Sequence, residues 1–234
     1  FSNTAIRTVI IPEGLTVVGG TNTTTSATSS SHAFAYNPQL EKVILHDGVT
    51  RISGGVFRGC PNLKTVQYTD SEGAIHGEEG VVTLPESVII VGNYAFGSGR
   101  MTGTTDPETD IASGIEKVVM LSTAKMGLGN YLFQDCKELV EIEMHTSNIA
   151  TSTTSKTAPT YLFDGCSALE TVIVGDGLTA VPNYAFRNCE SLTTILLYNA
   201  TSDEVTGMEG QINLPSGLKT IGTASFMGTE SITS

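Results

Sequence analysis

The chain has 234 residues, 39% hydrophobic and 15% charged, with no tryptophan, a composition that builds a buried core rather than a disordered tail. Its 12 basic and 24 acidic residues give a net charge of −12, a field that repels phosphate backbones and anionic lipids and so argues against nucleic-acid and membrane-surface partners. No run approaches the roughly 18 consecutive apolar residues of a membrane span, and the first residues carry no targeting pattern.

In chain order, a period-two apolar alternation recurs at Val9/Ile11, Val43/Leu45, Val66/Tyr68, Val118/Met120, Ile142/Met144, Val172/Val174 and Ile195/Leu197. Each pair predicts a strand that cannot bury itself without a neighbour at the same phase, so the copies stack into one parallel sheet. A second extended piece follows most of them, with apolar residues three apart, as at Val49/Ile52, Val88/Val91 and Leu178/Val181, and with Gly or Pro at the corners. A Tyr-Ala-Phe-like segment closes each copy and predicts one or two helical turns that lay the Phe on the back of the strands. The Phe column runs Phe34, Phe57, Phe96, Phe133, Phe163, Phe186 and Phe226. Its spacings are 23, 39, 37, 30, 23 and 40, and each excess over 23 coincides with polar or Gly-rich sequence. Loop insertions are therefore expected over 21–31, 70–82, 98–114, 146–160 and 199–212.

The opening Leu40-x-x-Val43-x-Leu45, the 23-residue period and the closing Val56-Phe57-Arg58-Gly59-Cys60 resemble the BspA-like leucine-rich repeats. The resemblance covers about Ile6 to Ile232 in seven copies. It implies an α/β leucine-rich-repeat right-handed solenoid, parallel strands with short helical turns, from an extracellular or cell-surface protein that mediates adhesion and protein binding. The chain departs from the pattern in its five insertions and in having Pro at the seventh position of the unit only at Pro12. Phe1-Ser2-Asn3 looks like the tail of an earlier copy and Ile232 occupies the phase of Leu40, so 1–234 is read as a single domain that is a piece of a longer protein.

Cys60, Cys136, Cys166 and Cys189 each stand three residues after a repeat Phe, a column also holding Asn37. Parallel Cβ vectors one strand spacing apart suit buried free thiols whose weak donors reach a neighbouring carbonyl, not disulfides or zinc. His46 and His145 share a phase but lie in the second and fifth copies, and His32 and His76 sit in or beside insertions, where solvated loop positions are expected. Glu141 and Glu143 point the same way along one strand, an acid/base spacing without an implied cleft. The acidic run Asp106-Pro107-Glu108-Thr109-Asp110 lacks an EF-hand frame, and Asn22-Thr23-Thr24 and Asn199-Ala200-Thr201 match the glycosylation sequon. No nucleophile elbow, P-loop or dinucleotide motif is present, so a non-enzymatic chain without cofactor or metal is expected.

The middle residues of the strands, Ile10, Ile44, Gln67, Val119, Glu143, Ile173 and Leu196, should face outward as one strip, five of the seven apolar. Contiguous exposed apolar surface marks an interface, which makes this strip the expected contact with a protein partner. The competing readings are a carbohydrate- or mucin-binding module, a structural spacer carrying another domain, and an insertion such as 199–212 folding back to cover the strip. Lys117 and Glu141 share a phase in consecutive copies and should lie side by side on adjacent strands.

Overall fold

A computed structural model describes residues 4–20, 31–100, 110–111, 113–150 and 158–231. The first two copies supply β1 (Thr8–Ile10), β2 (Val17–Val18), β3 (Lys42–His46) and β4 (Arg51–Ile52). The next stretch holds β5 (Thr65–Thr69), β6 (Ile75–His76), β7 (Val81–Leu84), β8 (Ile90–Val91), β9 (Gly99–Arg100) and β10 (Asp110–Ile111). Then come β11 (Lys117–Met120), β12 (Met126–Leu128), β13 (Glu141–Met144), β14 (Ile149–Ala150), β15 (Thr171–Gly175) and β16 (Ala180–Val181). The last are β17 (Thr194–Asn199), β18 (Glu204–Thr206) and β19 (Thr220–Ile221).

The first strand of each copy joins one long parallel sheet in the order β1, β3, β5, β7, β11, β13, β15, β17. The second strands form a parallel sheet in the order β2, β4, β8, β12, β14, with β16 and β19 paired separately. Val43, Leu45, Val66, Val118, Met120, Ile142 and Val172 are fully buried, as their inward phase requires. Lys117 and Glu141 are register partners and their side chains meet at 2.8 Å, as their shared phase predicts.

Two expectations are corrected. The Tyr-Ala-Phe segments are not helical, and no helix occurs among the described residues. The residue two before each Phe has a left-handed backbone: His32, Gly55, Tyr94, Tyr131, Tyr161, Tyr184 and Ala224, with φ between 50° and 67°. Residues two after it, including Tyr36, Asp135, Gly165 and Asn188, do the same. Right-handed runs are thereby cut to three residues, too short for an α-turn ladder. The Phe amides turn to the next copy instead: Phe57 N–H donates to Ala95 O at 3.0 Å, Phe133 to Leu162 O at 2.9 Å and Phe163 to Ala185 O at 2.9 Å. The fold is thus an all-β repeat solenoid whose third side is a row of turns.

The second correction concerns two insertions. Residues 70–82 and 199–212 are not plain loops but hairpins, and the first ends in a strand, β7, that enters the long sheet between β5 and β11. The repeat strand of that copy is therefore Val82-x-Leu84-Pro85, and Pro85 and Pro215 follow their strands as Pro12 follows Val9-x-Ile11. Of the other three insertions, most of 21–31 and of 98–114 lie outside the described residues, as do most of the run 106–110, the sequon at Asn22 and both chain ends. The insertion 146–160 is described at 146–150, which carries β14, and at 158–160.

Six face-to-face contacts chain the seven Phe rings into one stack, with centroids 5.4 to 5.9 Å apart. The left-handed Tyr94, Tyr131, Tyr161 and Tyr184 make a second stack with centroids 4.5 to 4.8 Å apart. Arg58 lies over its Tyr94 end, and Arg187, bidentate to Asp164 at 2.6 and 2.7 Å, lies over Tyr161 and Tyr184. Ring pairs of this kind stabilise by about 0.5–1.5 kcal/mol beyond area burial, which offsets part of the cost of left-handed backbone at the tyrosines.

Candidate functional site

Strand alternation sends one side chain of every two outward, and the register aligns them in rows across the long sheet. The seven predicted residues fall in one row: Ile10 pairs with Ile44 and Ile44 with Gln67, while Val119 pairs with Glu143, Glu143 with Ile173 and Ile173 with Leu196. The row has an eighth member that strand phase alone missed, Thr83 of β7, which pairs with Val119 and stands beside Gln67. Exposure varies along it. Ile10 is 69% exposed and Ile44, Val119, Glu143 and Leu196 are partly exposed, whereas Gln67, Thr83 and Ile173 are buried.

The two hairpins explain that variation, and they are two copies of one device. Val66 pairs with Val82 in the first and Ile195 with Ile212 in the second. Gly80 N–H donates to Thr65 Oγ1 at 2.9 Å, and Gly210 N–H donates to Thr194 Oγ1 at 2.9 Å. Each hairpin re-enters the sheet through a glycine in the left-handed half of φ, Gly77 at 95° and Gly207 at 118°. A Cβ there would stand 2.9 Å from Thr83 and 2.8 Å from Asn213. Close descent onto the outward row thus requires glycine twice over. Gln67 Nε2 donates to Gly77 O at 2.8 Å, which seals the row at Gln67 and Thr83.

Between the hairpins the partly exposed residues of the row are Val119 of β11 and Glu143 of β13. Beside the first hairpin lies a cleft of about 490 Å³, floored by Val81, Thr83 and Val119, walled by Ile75 and His76, and edged by Glu78, Lys117 and Glu143. His76 Nε2 meets Asp70 Oδ2 at 2.7 Å and its ring stacks on Tyr68. That imidazole, with the Ala74 amide, holds the Asp70 carboxyl below its usual range. At the second hairpin His145 Nε2 meets Glu143 Oε1 at 2.6 Å and its ring lies on Tyr198, whose hydroxyl donates to Asp203 at 2.8 Å. The His145 contact lowers the Glu143 carboxyl, while the bond to Asp203 holds the Tyr198 proton and raises that phenol. Lys117 is raised, first by Glu141 and more weakly by Glu143 and Glu78. Glu141 and Glu143 are thus engaged by different side chains, Lys117 and His145.

His76 is exposed, as its loop position predicts, while bonded to Asp70; His145 is tied to Glu143 and Tyr198, His46 is buried with Nε2 3.1 Å from Leu15 O, and His32 is exposed. All four cysteines are free and buried, and each Sγ approaches a repeat Phe carbonyl, at 3.2 Å for Cys60, 3.4 Å for Cys136, 3.1 Å for Cys166 and 3.2 Å for Cys189. Burial pushes the Cys60 thiol up to about 11 and the Cys189 thiol up to about 12. Among the described residues no group of three or more His, Cys, Asp or Glu could hold a metal ion, and no helix is long and apolar enough to cross a membrane.

A sequence model of the BspA type leucine rich repeat region matches in six copies over residues 27–78 and 111–207. The chain belongs to the BspA-type leucine-rich repeat family. The unmatched stretch 79–110 begins within the first hairpin and contains β7, so the family match is interrupted where the sheet takes its extra strand. Among solved structures, the T. pallidum leucine rich repeat protein is 18% identical with a TM-score of 0.57, covering 97% of this chain and 78% of its own. This likeness extends to the fold. A leucine-rich repeat protein of Bacteroides ovatus (21% identical, TM-score 0.38, 99% and 61% covered) and a leucine rich cell surface protein of Faecalibacterium prausnitzii (18%, 0.30, 85% and 61%) are also similar. No curated protein matches the sequence.

Proposed function

We propose that this BspA-type repeat chain is a non-enzymatic protein-binding segment of an extracellular or cell-surface protein, and that it makes its contact through the outward face of the long sheet between the two hairpins. The observation that carries this reading is the row of partly exposed Val119, Glu143 and Leu196, with Ile173 buried between the last two, on a face bracketed by two hairpins built to one plan. Partly exposed aliphatics held on a rigid sheet cost solvation in a free chain, and a partner that covers them recovers about 25 cal/mol per Å² of apolar area. Adhesion to host or neighbouring cells is the use that fits such a contact on a cell surface.

The test immobilises the chain and screens it against extracellular-matrix and cell-surface proteins, with a glycan array alongside. Val119→Glu and Leu196→Glu, both at partly exposed positions, should abolish capture of a protein while the melting temperature stays within a few degrees. Glycan binding that survives both substitutions would replace the protein-binding reading with a carbohydrate one.

A further inference from the structure

The cleft beside the first hairpin carries a charge asymmetry that specifies its occupant. Of the nine residues lining it, Glu78 and Glu143 are carboxylates and Lys117 is the one lysine. Lys117 is already held by Glu141 at 2.8 Å. The imidazole of His145 is likewise spent on Glu143, and that of His76 on Asp70. Each of these donors already holds a carboxylate, and with two carboxylates to one ammonium the lining carries a net negative charge. The field is shared across the face: Glu78 and Glu143 both act on Lys117, and Asp203 at the far hairpin acts on Glu143. Between the carboxylates the surface is apolar, with Val119 on the floor and Ile75, 57% exposed, on the wall.

Resting on the reading of the outward face as the contact surface, we infer that the cleft takes a short extended segment of a partner protein in which Lys or Arg residues alternate with apolar ones. An extended chain presents successive side chains to opposite sides, so its apolar residues settle on Val119 and Ile75 while its cations reach Glu78 and Glu143. A charge-assisted bond to Glu143 forms at a partly desolvated site, where it is stronger than in bulk water, while Glu78 offers a solvated carboxylate at the rim. The chain's net charge of −12 adds attraction at long range, which speeds the encounter but selects no particular site.

The probe is a fluorescent peptide of about eight residues alternating Lys and Val, long enough to span the cleft when extended, with counterparts carrying Ser or Glu in place of Lys. The Lys peptide should bind and the Glu peptide should not. The double substitution Glu78→Gln with Glu143→Gln should weaken the Lys peptide by about tenfold or more. The double substitution Glu13→Gln with Glu230→Gln removes the same charge from exposed positions outside the cleft and should change binding less than about twofold. Glu78→Lys alone, at an exposed position, guards against misfolding at Glu143 and should weaken binding with an unchanged melt. Equal losses in both double variants would reduce the effect to diffuse attraction and overturn the site. A Ser peptide bound as tightly as the Lys peptide, or no binding by any peptide, would overturn the cationic occupant while leaving the contact surface to be judged by Val119→Glu and Leu196→Glu.

Discussion

The imidazole of His145 lies flat on the phenol ring of Tyr198, centroids 3.7 Å apart and 11° from parallel, although a whole strand separates their own strands. That intervening strand, β15, presents Gly175 at the row, paired with Tyr198 and following Val174, the partner of Met144. A Cβ at Gly175 would stand 2.2 Å from the Thr146 carbonyl oxygen, a backbone atom that cannot step aside cheaply. Gly175→Ala should therefore destabilise the protein by roughly 1–3 kcal/mol, read from the denaturation midpoint. An unchanged midpoint would mean that the backbone around Thr146 gives way freely.

Glu143 sets an acid limit. Its carboxyl is lowered in the folded chain by His145, so its contribution to stability is complete above the ordinary glutamate pKa of about 4.3 and is lost as pH falls through the lower folded value. His145→Ala should raise the Glu143 titration midpoint and flatten the loss of stability below about pH 4.3, both readable by NMR titration and acid unfolding. A midpoint that does not move would assign the lowering to another group.

The paired hairpins give a matched experiment. Thr65→Val and Thr194→Val each remove the hydroxyl that accepts the following hairpin's glycine amide, at a cost of about 1 kcal/mol. Amide exchange at Gly80 should speed up in the first variant and at Gly210 in the second, with the other hairpin unaffected. Equal acceleration at both would show that the hairpins open together.

The thiol ladder predicts chemistry by its burial. With Cys60 pushed up to about 11 and Cys189 up to about 12, the thiolate is scarce at neutral pH and the sulfur is inaccessible. Four thiols should react on unfolding and essentially none in the native protein. Fast native labelling, or a mass two protons light per cystine, would contradict the ladder.

Much of this arrangement is legible in one sequence because a repeat writes its own register. The Phe column, the cysteine column and the Lys117 to Glu141 pairing all follow from phase, and all are present. The turn rows are less readable. Left-handed Tyr131 and Tyr184 belong to a residue type that rarely adopts that backbone, and stacking on the tyrosines of adjacent copies helps sustain it. β7 is hidden because Val66-Gln67-Tyr68 satisfies the strand pattern first and draws the count away from Val82-Thr83-Leu84. The usable signal was Leu84-Pro85, which repeats Ile11-Pro12 and Leu214-Pro215. The meeting of His145 with Tyr198 depends on a gap left by one glycine, and no periodicity announces a gap.

The central claim, that the outward face between the hairpins is the contact surface, is tested most directly by hydroxyl-radical footprinting of the chain with and without a captured protein partner. Protection should concentrate on Ile75, His76, Val119 and Leu196, with the tyrosine stack from Tyr94 to Tyr184 unchanged. Protection of that tyrosine stack, with Val119 and His76 as reactive as in the free chain, would place the contact on the turn side and contradict the account.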